Sequence, residues 1–314
     1  MLRFSVTVAN TTSSIHFTRC NGLFSQMRNG MAVYTTDYGG PIAQLLLAFR
    51  AGSRYEESDE SGVAHHLLNS VGSDSEDSPG SDLLNQCSSL GNSHLTREIF
   101  AVQATVVREN AVRMAPVLTE LCHLAIKPWD FDNINDAVKK EVLYKEPHKM
   151  LLNCLYHQSR LVSGQAAFIG INVDHLNLLE RLEEGVKIRE EAGKYGIQSE
   201  YFGGEARRQL NSSKAYVAIA GEGASFQDPE VIFVLFCHIR MCFALTMAIM
   251  ECLLKSESSS DTAFWYATQL LGCRKVRSPA EFASLIKEVT KEDVDRVKLT
   301  FLAFLYKRRS KKES

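Results

Sequence analysis

Short runs of apolar and β-branched residues, separated by turn-forming clusters, mark the first part of the chain. The segment 31–37, MAVYTTD, and the segment 42–53, IAQLLLAFRAGS, predict two strands. Gly39-Gly40-Pro41 lies between them and predicts a reversal, so the two are expected to pair antiparallel. Residues 61–71 predict a helix with Ser61 as N-cap, and a polar, turn-forming stretch, 72–82, precedes a short helix over 82–90. Ile99, Val102, Ala104 and Val106 sit in β-prone sequence and predict a strand within 95–108. Helical patterns follow at 113–126 and 132–146, with Pro128 as the break between them and Asp132 as a cap, and another at 148–160. The segment 166–172, AAFIGIN, predicts a buried strand, and Asp174 starts a helix over 175–184.

The pattern then changes. Residues 183–206 lack apolar periodicity and carry Gly185, Gly193, Gly196 and the pair Gly203-Gly204, so this stretch is expected to be a linker. A strand at 214–220 follows, and most of the remainder reads as helix, the last one starting at Thr290 with Asp293 in the capping-box position. Strands, helices, a strand, then helices argue an α+β fold, an antiparallel sheet with helices packed on one face. The apolar run 231–250 is long enough to span a bilayer, but Arg240 sits at its middle with His238 beside it. A central Arg costs about 2.5–3.5 kcal/mol on insertion, so the run reads as two buried soluble elements joined end to end.

Composition narrows the function classes. Lys+Arg 35 against Asp+Glu 37 gives a net charge of −2, which offers nucleic acid no electrostatic footprint. The eight Cys (20, 87, 122, 154, 237, 242, 252 and 273) form no CxxC pair and read as reduced core thiols. Residues 1–36 contain no Asp or Glu but carry Arg3, Arg19, Arg28 and the run Thr11-Thr12-Ser13-Ser14. That is the composition of a mitochondrial transit peptide, here expected over residues 1–20 with cleavage near Arg19 to Asn21. The Ser- and acid-rich 73–82 and the basic tail 307–312, KRRSKK, read as solvated segments. There is no Walker loop, no GxSxG elbow and no GxGxxG.

The most informative stretch is Gly52-Ser53-Arg54-Tyr55-Glu56 followed by Gly62-Val63-Ala64-His65-His66-Leu67-Leu68-Asn69. It resembles the entry to the inverted-zinc (M16) peptidase family, which includes the mitochondrial processing peptidase and the core proteins of respiratory complex III. In that family a strand ends in an AGSR turn, and the next helix carries H-x-x-E-H. Two His four apart share a helix face and ligate zinc, and the Glu acts as general base on the metal-bound water. Carried onto this chain, His65 keeps the first ligand position, Leu68 stands at the base and Asn69 at the second ligand. Glu141 or Glu146 matches the distal ligand by position. Leu takes no proton, and one His with one Glu does not close a zinc site. His66 offers no substitute, since adjacent helical residues point about 100° apart.

Further anchors keep the family's order: Arg108-Glu109-Asn110 at a strand end, the strand-to-helix passage 167–175, Tyr201-Phe202-Gly203-Gly204-Glu205-Ala206-Arg207, and 253–259. They resemble the core-protein branch. The resemblance implies two related α+β units, the first over 21–184, a linker over 185–206, and the second over 207–314. The stretch from Tyr156 to Gln165 and the stretch from His238 to Met250 are short against the family pattern, so the second unit reads as abbreviated. The implied role is a non-catalytic structural subunit of complex III on the matrix side of the mitochondrial inner membrane. It would be in contact with core protein 1 and other subunits and peripheral to the membrane, with no cofactor or metal. The alternative is a non-catalytic alpha-type subunit of the processing peptidase, which binds presequences through a long Gly-rich loop; here Gly221-Glu222-Gly223 is the nearest feature. An active zinc peptidase is the third reading, and Leu68 and Asn69 argue against it.

Overall fold

A computed structural model describes residues 22–56, 62–71, 93–120, 128–143, 166–185 and 256–290, with a few isolated positions besides. In chain order the elements are β1 (Leu23–Gln26), β2 (Ala32–Thr36), β3 (Ile42–Phe49), α1 (Val63–Ser70), β4 (His94–Leu95) and β5 (Phe100–Val107). They continue with α2 (Ala111–Glu120), α3 (Pro128–Leu143), β6 (Ala166–Ile171), α4 (His175–Gly185), α5 (Ser259–Cys273) and α6 (Pro279–Lys287). The expectations for 1–20, 72–90, 148–160, 186–206, 214–220, 231–249 and 307–312 lie outside the described residues.

The described strands form one six-stranded sheet in the order β1-β2-β6-β3-β5-β4. The α+β class holds, and two particulars differ from the expected sheet. First, β2 and β3 are not neighbours. β6 inserts between them, antiparallel to β3 and parallel to β2, so the antiparallel sheet contains one parallel pair. β6 reads AAFIGI, and every residue after Ala166 is buried. A strand with no polar face belongs in the middle of a sheet, not at its edge. The Gly39-Gly40-Pro41 reversal is real as a change of direction, but the strands it joins are spread apart to admit β6.

Second, both faces of the sheet are covered. Ala43, Leu45, Leu47, Val102, Ala104 and Phe168 pack against Ala111, Met114, Ala115 and Leu118 of α2 and Leu178 and Leu182 of α4. On the opposite face Leu46, Ala48, Ala101, Ala167, Ile169 and Ile171 pack against Ala263, Tyr266, Ala267, Leu270 and Leu271 of α5. Alternation along each strand sends successive side chains to opposite faces. Because β3, β5 and β6 are apolar at both parities, each face requires a cover. The second cover comes from a segment more than seventy residues beyond α4, on the far side of the expected linker.

Local capping departs from expectation in places. Asp174 accepts from the Asn177 amide at 2.9 Å and starts α4 as read. Thr290 and Asp293 exchange the reciprocal capping-box bonds, Thr290 N–H to Asp293 Oδ2 at 3.1 Å and Asp293 N–H to Thr290 Oγ1 at 3.3 Å. Pro128, expected as a break, is the first residue of α3, where its missing N–H costs nothing, and Asp132 lies inside that helix. α1 starts from Gly62, at φ 102°, in place of the expected Ser61. Only glycine takes that backbone without strain.

Candidate functional site

The residues singled out by the sequence lie on α1, and their placement follows from how that helix is held. Its N-cap Gly62 carries no side chain, so its free N–H groups need another acceptor. Glu56 supplies it: one carboxylate oxygen accepts from the Gly62 amide at 2.9 Å and the other from the Ala64 amide at 2.8 Å. A carboxylate at the positive end of a helix is favourable twice over, by hydrogen bonding and by the dipole. The turn that delivers Glu56 is fixed by its own contacts. Gly52 and Arg54 amides donate to the carbonyls of Glu98 and Arg97, and the Arg54 guanidinium pairs with the Glu98 carboxylate. A Cβ on Gly52 would come within 2.4 Å of the Arg97 backbone, so this close approach requires glycine. The AGSR-Y-E stretch is thus a strand end clamped to the β4–β5 hairpin that positions a helix cap.

Along α1, His65 and His66 are both partly exposed. The His66 ring bonds the Gly62 carbonyl at 3.0 Å and stacks on Phe131 of α3, with ring centroids 5.8 Å apart and planes at 13°. It is therefore engaged in joining α1 to α3. Leu68 is half-buried and packs against the core formed by the sheet, α2 and α4. Asn69 is exposed, and its amide Nδ2 donates to the His65 carbonyl at 2.9 Å, one turn back on the same helix. Of the three positions that the family resemblance points to, only His65 presents an imidazole or carboxylate. Leu68 has no donor atom. An Asn amide is a weak ligand for zinc beside neutral imidazole. The described donor set does not fit a zinc ion. Glu141 lies on α3, which packs beside α1, and Glu146 lies outside the described residues. Among the described residues no three His, Cys, Asp or Glu come together in a group able to hold a metal.

Three polar clusters elsewhere were not picked out as functional from sequence. Asn172, just past β6, adopts φ 60° and ties the two strands that β6 separates. Its own amide donates to the Thr36 carbonyl at 2.8 Å, its Oδ1 accepts from the Tyr38 amide at 2.8 Å, and its Nδ2 donates to the Ile42 carbonyl at 2.7 Å. Arg108, in the R-E-N turn, makes a two-pronged pair with Asp37, whose carboxyl is held below its usual range by that guanidinium and by the Gly39 amide. His175, the first residue of α4, is 7% exposed and bonds two hydroxyls, Thr35 Oγ1 at 2.8 Å through Nδ1 and Ser25 Oγ at 2.9 Å through Nε2. Burial pushes its imidazole below the ordinary 6.5, against the pull of Asp174. The sequence signals for these clusters were two anchor motifs, Arg108-Glu109-Asn110 and the passage 167–175. Their partners lie far away in the chain, and spacing rules do not reach them.

No helix among the described residues is long and apolar enough to cross a membrane. Residues 32–160 match the model of the insulinase family, peptidase family M16. The chain is 21% identical over 243 residues to the mitochondrial cytochrome b-c1 complex subunit 2 of Rattus norvegicus, a match covering 66% of this chain and 54% of that protein. It is 23% identical over 237 residues to the Homo sapiens protein of the same name, covering 64% and 52%. The chain therefore spans about half the length of the curated relatives it matches. In fold it superposes on a solved protease from Helicobacter pylori with a TM-score of 0.59, covering 88% of this chain and 96% of that one at 11% identity. These matches and the geometry agree on one point: the chain resembles the M16 peptidase family in sequence over residues 32–160 and the Helicobacter pylori protease in fold.

Proposed function

We propose that this chain is a non-catalytic core subunit of the mitochondrial cytochrome b-c1 complex, the ubiquinol–cytochrome c reductase. The observation that carries the reading is on α1. Leu68 is committed to the core where the family places its general base, and Asn69 is bonded to its own helix where the family places its second zinc ligand. A chain that keeps the helix, its cap and its clamp while lacking the base retains a scaffold and not a peptidase. The relatives' names supply the assembly, and the acid-free residues 1–36 supply the route to the organelle.

On this reading the chain sits on the matrix side of the inner membrane, peripheral to it and held by core protein 1 and the other subunits. It has a first unit over 21–184, a linker over 185–206 and an abbreviated second unit over 207–314. Residues 1–20 are removed on import. The role is packing and assembly, with no haem, quinone or metal bound by the chain itself.

Import of the full chain into energised mitochondria, followed by zinc analysis and peptide-cleavage assay of the purified mature form, tests the proposal. The expected result is a shortened chain holding far less than one zinc per molecule and cleaving no peptide above background. A chain left outside the organelle, or stoichiometric zinc with chelator-sensitive cleavage, contradicts it.

A further inference from the structure

We propose that His175 is a latch that holds the edge strand β1 on the sheet while its ring is neutral and releases it when the ring is protonated. β1 is held weakly by everything else. It is four residues long, pairs among the described residues only with β2, and leaves Leu23 and Phe24 each about half exposed. Little apolar burial therefore holds it in place. Ser25 is the residue of β1 whose side chain reaches the buried layer, and it does so through His175 Nε2. The other ring nitrogen is bonded to Thr35 of β2. A neutral imidazole donates from one nitrogen and accepts at the other, so it bridges the two hydroxyls in sequence and fixes β1 against β2 and α4 at once.

Protonation alters each term unfavourably. Both nitrogens become donors, and the hydroxyl that was donating to the ring must turn its proton elsewhere. The new charge lies in a site that is 7% exposed, at the first residue of a helix whose unpaired amides already form its positive end. β1 contributes no titratable side chain, and β2 contributes only Tyr34, which lies on the opposite face against Tyr266. α2 carries Arg113 and Glu120, the preceding turn Arg108 and Glu109, and α4 itself Glu180, Arg181, Glu183 and Glu184. Asp174 is the charged group that favours the protonated ring, and burial outweighs it. β3 carries no His and lies inside the sheet between β6 and β5, so it serves as the reference element; β5 does not, because the His94 ring bonds its Gln103 side chain at 3.2 Å. An edge element of low local stability, bonded through one buried imidazole that loses its bridging pattern on protonation, is a workable switch.

Hydrogen exchange of the full chain, followed by mass spectrometry at pH 7.5 and pH 5.5 and corrected for intrinsic rates, tests the latch. Protection of the peptide spanning 22–31 is expected to fall about tenfold on acidification, the weight of one buried hydrogen bond, while the peptide from β3 holds its own. In His175→Gln, whose amide bridges hydroxyls without titrating, that pH dependence is expected to vanish. Ser25→Ala serves as the second variant: it keeps the core intact and is expected to lower protection of 22–31 at pH 7.5 and to flatten its pH response. Unchanged protection of 22–31 in the wild-type chain overturns the proposal. So does an equal fall in His175→Gln, or a Ser25→Ala profile identical to wild type.

Discussion

Replacing Asn172 probes the insertion of β6 between β2 and β3 at one residue. Its side chain makes one bond to the backbone of the β2–β3 connection, at Tyr38 (2.8 Å), and one to the first residue of β3, Ile42 (2.7 Å), and the residue itself is 7% exposed. Each bond contributes about 1 kcal/mol, so Asn172→Ala is expected to lose about 2 kcal/mol from them. The backbone adds to this. At φ 60° alanine costs a further 1 kcal/mol or so, whereas asparagine tolerates that region. The expected total is about 3 kcal/mol. Asn172→Gly loses the same two bonds but takes the left-handed conformation freely, at a smaller cost in unfolded-chain entropy, so it is expected to be less damaging than Ala by about 0.5–1 kcal/mol. Gly40 provides a cross-check, because a Cβ there would lie 2.8 Å from Asn172 Nδ2, and Gly40→Ala is expected to be milder in the Asn172→Gly background than alone. Urea unfolding followed by circular dichroism measures the four variants against the wild-type chain. Loss below about 1 kcal/mol in Asn172→Ala, or Gly more damaging than Ala, refutes the argument that Asn172 joins the separated strands.

Other outcomes follow from the same geometry. Leu270→Ala, at a position 2% exposed on the face of α5 against the sheet, is expected to cost about 2–5 kcal/mol in urea unfolding, and a near-neutral result denies that α5 covers the second face. The double change Leu68→Glu with Asn69→His restores the family's donor pattern beside His65 and is expected to raise bound zinc from near none toward one per chain by atomic absorption. Because burial lowers the His175 imidazole in the folded chain, the unfolded chain binds the extra proton first. Stability is then unaffected by this group above about pH 6.5 and falls as pH drops below it. Urea midpoints from pH 7.5 to 5.5 are expected to fall less in His175→Gln than in the wild-type chain.

Much of the fold was legible because local signals carried it. β3, β5 and β6 follow from apolar, β-prone runs, and Asp174 and Thr290 cap where short polar residues precede a helical pattern. What misled were signals that are local in form but depend on distant partners. Gly39-Gly40-Pro41 marks a turn but says nothing of a strand that enters between its arms more than a hundred residues later. Ser61 is a good N-cap type, yet the cap of α1 is Glu56, delivered by a clamp onto Arg97 and Glu98. The face of α5 was hard to read because it buries Thr262 and Gln269 among its apolar residues, and this blurs the stripe. The positions on α1 were picked out by the family resemblance. The stacking of His66 on Phe131 and the return of Asn69 to its own helix needed the tertiary structure.

The central claim is that this chain is built to pack in a complex and not to cleave. A tagged full-length chain expressed at native level, followed by blue-native electrophoresis of gently solubilised mitochondria, tests it most directly. The account predicts that the chain co-migrates with the cytochrome b-c1 complex and is recovered with its subunits. Intact chain that migrates reproducibly elsewhere, with that complex fully assembled without it, contradicts the account.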